Sequence, residues 1–140
     1  MPRILAALRE QVILRAKGRC EYCQTPQAIV IEMQIDHIIP ESAGGLTHHD
    51  NLCLACISCN QYKSDYQTGT DLETNADTPL FNPRIQQWSE HFVWDNTGTI
   101  LIGLTKMGRA TIERLKINRA VVVQARERWV KAGWHPPTSM

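Results

Sequence analysis

Two cysteine pairs, each with a two-residue spacer, enclose the most chemically informative segment of this chain. The first pair is Cys20 and Cys23, and the second is Cys56 and Cys59. Thiolates at this spacing provide half of a tetrahedral zinc site from one tight turn, so two such turns supply four ligands. A fifth cysteine, Cys53, makes Cys53/Cys56 a formal alternative to the second pair. We favour Cys56/Cys59 because Cys53 lies between two leucines and is more simply a small buried residue.

Four further side chains have the types that phosphodiester hydrolysis requires. Histidine is the side chain whose unperturbed pKa of about 6.5 suits removal of a proton from water, and His37 is the candidate for that role. Asp36 and Asn60 offer oxygen ligands to a hard divalent cation, which neutralises charge on a reacting phosphate. Asn51 lies in the segment between the cysteine pairs. Because Asp36 and His37 are neighbours in a predicted strand, they point to opposite faces unless the strand ends or bends there.

Composition limits the class of protein. The chain has 140 residues and a formal net charge of +1, which fits one domain or a small domain with an appended lobe. Residues 20–105 contain eleven acidic and two basic residues, whereas both flanking segments are basic. Five cysteines with paired spacing favour metal binding over disulfides in a reducing compartment. No apolar run is long enough to span a membrane, and the cytoplasm is the expected location.

Hydrophobic spacing and turn residues predict a small framework for these side chains. The predicted elements of the first half are a helix over residues 3–17, a strand over residues 28–35 that reaches Asp36, a loop over residues 40–50, a short helix or a loop over residues 51–55, and a helix from Cys59 to about Tyr66. The second half is predicted to contain a hairpin around residues 95–98 and two helices, with Thr105 and Asn118 as N-caps.

The segment from Cys20 to Lys63 resembles an HNH endonuclease of the zinc-containing ββα-metal type. The shared pattern is Cys-x2-Cys, Asp-His, an Asn in the intervening loop, and a second Cys-x2-Cys followed by His or Asn; it covers about a third of the chain. The resemblance implies that His37 is the general base and that Asn51 holds the loop and the histidine through hydrogen bonds. It further implies that Asp36 and Asn60 bind the catalytic ion. The four paired cysteines would bind structural zinc.

The resemblance also implies a fold and a cofactor. Asn60 stands where the family often has His, and this oxygen ligand favours Mg²⁺ or Mn²⁺ at the catalytic position. The expected fold class is α+β: a ββα-metal core closed by the four-cysteine zinc site, with an N-terminal helix and a C-terminal β-hairpin plus two helices. The expected domains are residues 1–67 as the nuclease domain, residues 68–79 as a linker and residues 80–140 as the C-terminal extension.

We therefore expect a metal-dependent endonuclease that hydrolyses DNA. Lys63, one helical turn beyond Asn60, is predicted to contact phosphate, as are Arg126 and Arg128 on the last helix. The expected partners are DNA and a second copy of the chain in a homodimer, with no membrane. Two alternatives remain open: a non-catalytic zinc-bound nucleic-acid-binding module, and a redox or zinc-storage protein.

Overall fold

The computed structural model describes residues 4–138, which form two compact units. The first, here called the N-terminal unit, runs to Gln67 and includes Asn82–Ile85. The second, the C-terminal unit, comprises Thr68–Phe81 and continues from Gln86. Within residues 4–138, none of the helices has both the length and the apolar character needed to cross a bilayer.

The N-terminal unit is built around a two-stranded antiparallel sheet and the helix that follows it. Its elements in chain order are α1 (Ala6–Arg15), α2 (Gln27–Val30), β1 (Met33–His37), β2 (Leu52–Cys56) and α3 (Ile57–Lys63). β1 pairs with β2, with Asp36 opposite Cys53 and His37 opposite Leu52. α3 begins directly after β2 and packs on both strands. This order is the ββα arrangement that the resemblance implies, and the α+β fold class is confirmed.

Two predicted elements of this unit differ from the observed ones. The strand predicted over residues 28–35 is partly wrong, because its first half is the helical turn α2. Pro26 has extended backbone at the start of that turn, and Ile31 has a φ of +66° directly after it, so extended pairing begins only at Met33. The segment predicted as a short helix or a loop over residues 51–55 is mostly strand β2, whose five residues are all buried.

Side chains of α1 fix this helix against the sheet. The helix was predicted over residues 3–17, of which residue 3 lies outside the described residues. Val12 is fully buried, as are Leu52 and Leu54 of β2. Arg15, at the end of α1, donates to the carbonyl oxygen of Leu52 at 2.7 Å and to that of His49 at 2.8 Å. A guanidinium has several N–H donors, so one side chain can hold both the strand and the loop before it.

The C-terminal unit contains two hairpins and three helices among its described residues. Its elements are β3 (Thr68–Asp71), β4 (Ala76–Pro79), α4 (Trp88–His91), β5 (Phe92–Trp94), β6 (Leu101–Gly103), α5 (Lys106–Leu115) and α6 (Ala120–Lys131). Phe81 and Phe92 meet edge to face with ring centroids 5.3 Å apart, and both are buried. The second hairpin and the two long helices follow the prediction for this half of the chain.

Residues 68–79 form the hairpin β3–β4 where the sequence predicted a linker. The hairpin packs on α5, and Gly69 permits a close approach because a methyl group there would lie 2.7 Å from the carbonyl oxygen of Ala110. Asp71 is fully buried and accepts hydrogen bonds from Arg109 Nε at 2.8 Å and Nη2 at 3.1 Å. Some of the polar side chains that suggested a linker, such as Asp71, are therefore buried within the unit.

The two predicted N-caps have different outcomes. Thr105 caps α5, since its hydroxyl accepts a hydrogen bond from the Gly108 amide at 3.1 Å. Asn118 does not cap α6, which begins after Arg119. Its side-chain amide instead pairs with the backbone of Leu101, accepting at 2.9 Å and donating at 2.7 Å. Asn118 therefore joins the start of α6 to β6.

The Arg109–Asp71 pair predicts a pH-dependent contribution to stability. Hydrogen bonds from Arg109 hold the pKa of Asp71 well below its ordinary value of 3.8. A lowered folded-state pKa stabilises the protein above the unfolded-state pKa, and this contribution is lost as pH falls toward the folded value. We expect Asp71→Asn to lower the melting temperature at pH 7, and the difference from wild type to shrink progressively as pH falls below about 4. Thermal unfolding against pH measures this.

The matched control for this experiment is Asp77→Asn, which changes an exposed carboxylate on the same hairpin. It should follow the wild-type profile throughout. A constant difference between wild type and Asp71→Asn across the whole pH range would contradict the assignment.

Candidate active site and metal cluster

Four buried cysteine side chains converge in the N-terminal unit. The sulfur atoms of Cys20, Cys23, Cys56 and Cys59 all lie within 4.8 Å of one another. The Cys23 and Cys56 sulfurs are 3.7 Å apart. Zinc–sulfur bonds of about 2.3 Å in a tetrahedron would separate the sulfurs by about 3.8 Å. The donor set and its spacing therefore fit a zinc-type ion.

Local turns aim these sulfurs at a common point. The Cys23 amide approaches Cys20 Sγ at 3.5 Å, and the Cys59 amide approaches Cys56 Sγ at 3.4 Å. Hydrogen bonds from the other three thiols hold the pKa of Cys23 well below its ordinary value, while burial raises the pKa of Cys20. Four thiolates in one buried group need a cation to neutralise them, which is the role that a structural metal would have.

Cys53 lies outside this cluster. It is fully buried, and its Sγ is 3.5 Å from the Tyr22 hydroxyl and 3.7 Å from Asp36 Oδ2. Burial raises the pKa of its thiol well above the ordinary value. The structure thus groups the cysteines as Cys56/Cys59, the pair that the spacing argument favoured.

His37, at the end of β1, faces the loop between the strands. Its Nε2 is 2.9 Å from the Thr47 hydroxyl and 3.9 Å from Glu41 Oε1. The side chain is 13 % exposed. A partly buried imidazole with a fixed hydrogen-bond partner has a defined orientation and keeps access to solvent, as a general base requires.

The side chain of Asn51 forms hydrogen bonds with the start and the middle of this loop. Its Oδ1 accepts a hydrogen bond from the Ile39 amide at 2.8 Å, and its Nδ2 donates to the carbonyl oxygens of Ile39 and Leu46, each at 3.0 Å. Gly45 lies against the same atoms, because a methyl group there would be 1.7 Å from the Ile39 carbonyl oxygen. One amide side chain therefore fixes the segment that follows His37.

Asp36 points to the opposite side of β1 from His37. It is 4 % exposed, and its Oδ2 accepts a hydrogen bond from the Tyr22 hydroxyl at 2.8 Å. Lys63 Nζ lies 3.3 Å from Oδ1 and 3.2 Å from Oδ2. Burial raises the pKa of the Asp36 carboxyl group, and the positive charge of Lys63 opposes that shift. The carboxylate is thus part of an internal ion pair.

Lys63 is an internal residue, which corrects the prediction that it contacts DNA. It is 1 % exposed, and its Nζ also donates to the carbonyl oxygen of His37 at 3.2 Å. α3 presents Lys63 inward because this helix packs on β1 and β2. Its ammonium group cannot reach a phosphate from this position.

The expected ligands of the catalytic ion have suitable donor types but other partners. Asn60 Nδ2 donates to Gln34 Oε1, and Gln34 lies two residues before Asp36 on the same face of β1. A carboxylate and an amide oxygen suit Mg²⁺ or Mn²⁺. In this arrangement, however, the Lys63 ammonium already neutralises Asp36. The donor chemistry fits the ion, and the Lys63 ammonium lies against the carboxylate that would bind it.

Arg126, predicted to contact DNA, is also internal. It is 1 % exposed, donates to the carbonyl oxygens of Thr99 at 2.9 Å and Ile117 at 2.7 Å, and lies 5.0 Å from the Trp94 ring centroid. This corrects the prediction for Arg126. Arg128, two residues on, is exposed, and its contact with DNA stays a prediction.

Sequence reasoning missed two partners of the central residues, Thr47 beside His37 and Tyr22 beside Asp36. Neither has a local pattern that would have revealed it. His48 and His49, in the loop between β1 and β2, are exposed. Together with Asp50 they form a second group whose potential ligand atoms lie within 4.8 Å of one another.

The cysteine cluster predicts selective metal loss. Cys56→Ala should remove the bound metal and the cooperative unfolding of the N-terminal unit, because a structural zinc site supplies folding free energy. Cys53→Ala is the matched control, since it removes a buried thiol outside the cluster; it should keep one metal per chain and lose about 1 kcal/mol of stability. Elemental analysis and thermal unfolding check both. Full metal content in Cys56→Ala would refute the assignment.

Comparison with known proteins identifies this part of the chain. The HNH endonuclease family model matches residues 20–66. No curated protein and no solved structure gives a significant match. The matched segment holds the cysteine cluster, the histidine loop and the ββα arrangement described above. The resemblance seen in the sequence is therefore confirmed over residues 20–66, the segment that matches the HNH endonuclease family.

Proposed function

We propose that this protein is an HNH endonuclease that hydrolyses phosphodiester bonds in DNA with a divalent metal ion. An HNH domain implies a nucleic-acid substrate. The observation that supports activity best is the fixed position of His37. Its ring contacts Thr47, a residue of the loop that Asn51 holds in place. This arrangement provides an oriented imidazole with solvent access beside the family's characteristic sheet and helix.

In this proposal, His37 removes a proton from the attacking water. We assign the Nε2–H of the ring as the donor to the Thr47 hydroxyl, which leaves Nδ1 as the basic nitrogen. Thr47 fixes the ring, Asn51 fixes the loop, and Lys63 fixes the backbone of His37 through its carbonyl oxygen. Positioning of this kind lowers the barrier because the base need not reorganise before it accepts the proton.

Two metals complete the proposal. Asp36 and Asn60 would hold Mg²⁺ or Mn²⁺, which when bound neutralises charge on the phosphate and on the leaving oxygen. Asp36 and His37 face opposite sides of β1, but β1 ends at His37, so the phosphate would lie across the end of the strand to meet both. Zinc would be bound by the four clustered cysteines as a structural ion. The assignment of residues 1–67 as the nuclease domain, the choice of DNA over RNA, a homodimer and a cytoplasmic location belong to the same proposal.

One observation favours a second candidate function. Asp36 is ion-paired with Lys63, and both side chains are buried. If that pair never opens, the protein has no carboxylate for a catalytic ion, and the HNH domain acts as a non-catalytic zinc-bound nucleic-acid-binding module.

A nicking assay on supercoiled plasmid separates the two candidates. With Mg²⁺ or Mn²⁺, we expect His37→Ala to reduce the nicking rate by about 10²- to 10⁴-fold, the usual contribution of a general base. His91→Ala, in the C-terminal unit, is the control and should nick like wild type. Chelator should stop nicking, and added Mg²⁺ without zinc should restore it. The binding-module alternative requires that neither wild type nor variant nicks the plasmid.

Arg128, an exposed basic residue of α6, gives a separate test of DNA contact. Arg128→Ala should weaken DNA binding and reduce the slope of log affinity against log salt by about 1, as expected for one lost phosphate contact. Lys116→Ala is the control, because this lysine is also exposed in the C-terminal unit but pairs with Glu113. Equal slopes for wild type and Arg128→Ala would exclude the contact.

A further inference from the structure

A buried polar cluster is formed by residues of β1, β2, α3 and the first cysteine turn. Its members are Asp36, Lys63, Tyr22 and Cys53, each of them buried. Water does not neutralise a carboxylate at such depth, so another charged group must do so. Lys63 provides that charge.

The Lys63 ammonium is surrounded by oxygen acceptors. Nζ has three oxygen neighbours: Asp36 Oδ1 at 3.3 Å, Asp36 Oδ2 at 3.2 Å and the His37 carbonyl oxygen at 3.2 Å. An ammonium group has three N–H donors, which matches this number of acceptors. It is also a compact point charge. A cationic group therefore already lies against the carboxylate that the catalytic ion would use.

We propose that Lys63 is an internal counter-ion that competes with the divalent ion for Asp36. The inference rests on the proposed function, in which Asp36 binds that ion. A divalent cation and an ammonium group at one carboxylate repel each other strongly where the dielectric constant is low. Binding of the ion therefore requires Lys63 to leave Asp36. In the metal-free protein, Lys63 neutralises the Asp36 carboxylate. Its presence there lowers the apparent affinity of the protein for the divalent ion.

A purely structural role for Lys63 predicts something different. In that case Lys63 only ties α3 to β1, and its removal changes stability without raising metal affinity. The two roles separate in a direct measurement of Mn²⁺ binding, which does not depend on catalytic activity.

The first experiment measures Mn²⁺ binding to the zinc-loaded full chain by electron paramagnetic resonance. Lys63→Met keeps most of the length of the side chain and removes its charge, and we expect it to bind Mn²⁺ about tenfold more tightly than wild type, or better. Combining Lys63→Met with Asp36→Asn should abolish this gain in Mn²⁺ affinity. Lys17→Met is the control, because it removes an exposed charge from the same unit and should not change the affinity. Unchanged or weaker binding by Lys63→Met would overturn the proposal.

A second measurement on wild type covers the case in which Lys63→Met does not fold. The ammonium resonance of a buried, ion-paired lysine is observable by ¹⁵N NMR, and Mg²⁺ should shift that of Lys63 with the midpoint of Mg²⁺ binding. If wild type binds Mg²⁺ and nicks DNA while this resonance stays constant, the counter-ion proposal fails and the proposed function survives. If neither wild type nor a folded variant binds a divalent ion, both the counter-ion proposal and the assignment of Asp36 as an ion ligand fail.

Discussion

The pairing register of β1 and β2 is the constraint on which the N-terminal unit depends. Asp36 lies opposite Cys53 and His37 opposite Leu52, so alternate residues of β1 face different surroundings. On the side of Asp36, β1 contacts Tyr22 and the Lys63 side chain of α3. On the side of His37, it contacts the loop that precedes β2. A slip of one residue would exchange these two sides and put the imidazole in the interior.

The apolar core of this unit is small, and metal binding at the cysteine cluster would stabilise the unit further. Cys56 ends β2 and also caps α3, accepting a hydrogen bond from the Cys59 amide. The first turn reaches the same sheet through Glu21, whose amide donates to the Leu54 carbonyl oxygen at 2.8 Å. Metal binding at the cluster would therefore fix the strand, the helix and the first turn together, and hence the positions of the side chains between them.

The order of the cysteines, Asp36-His37, Asn51 and Asn60 carried the resemblance to the HNH family, and that resemblance implied the ββα arrangement. The local pattern of residues 51–55 did not indicate strand β2. The cap at Thr105 was predictable, since its hydrogen bond is local. The hairpin at residues 68–79 was not, because its polar residues gave no apolar alternation and its stability comes from packing on α5. Lys63 and Arg126 were misplaced for a related reason: only tertiary partners decide whether a charged side chain is buried.

The paired glycines before His48 have a consequence for how this loop tolerates change. Gly44 has a φ of +90°, and Gly45 has no room for a side chain beside the Ile39 carbonyl oxygen. A double glycine is commonly associated with mobility, yet here Gly44 provides a left-handed backbone conformation and Gly45 permits a close backbone contact. Sequence drift at these two positions would distort the geometry at the end of β1 even though neither residue would take part in the chemistry itself.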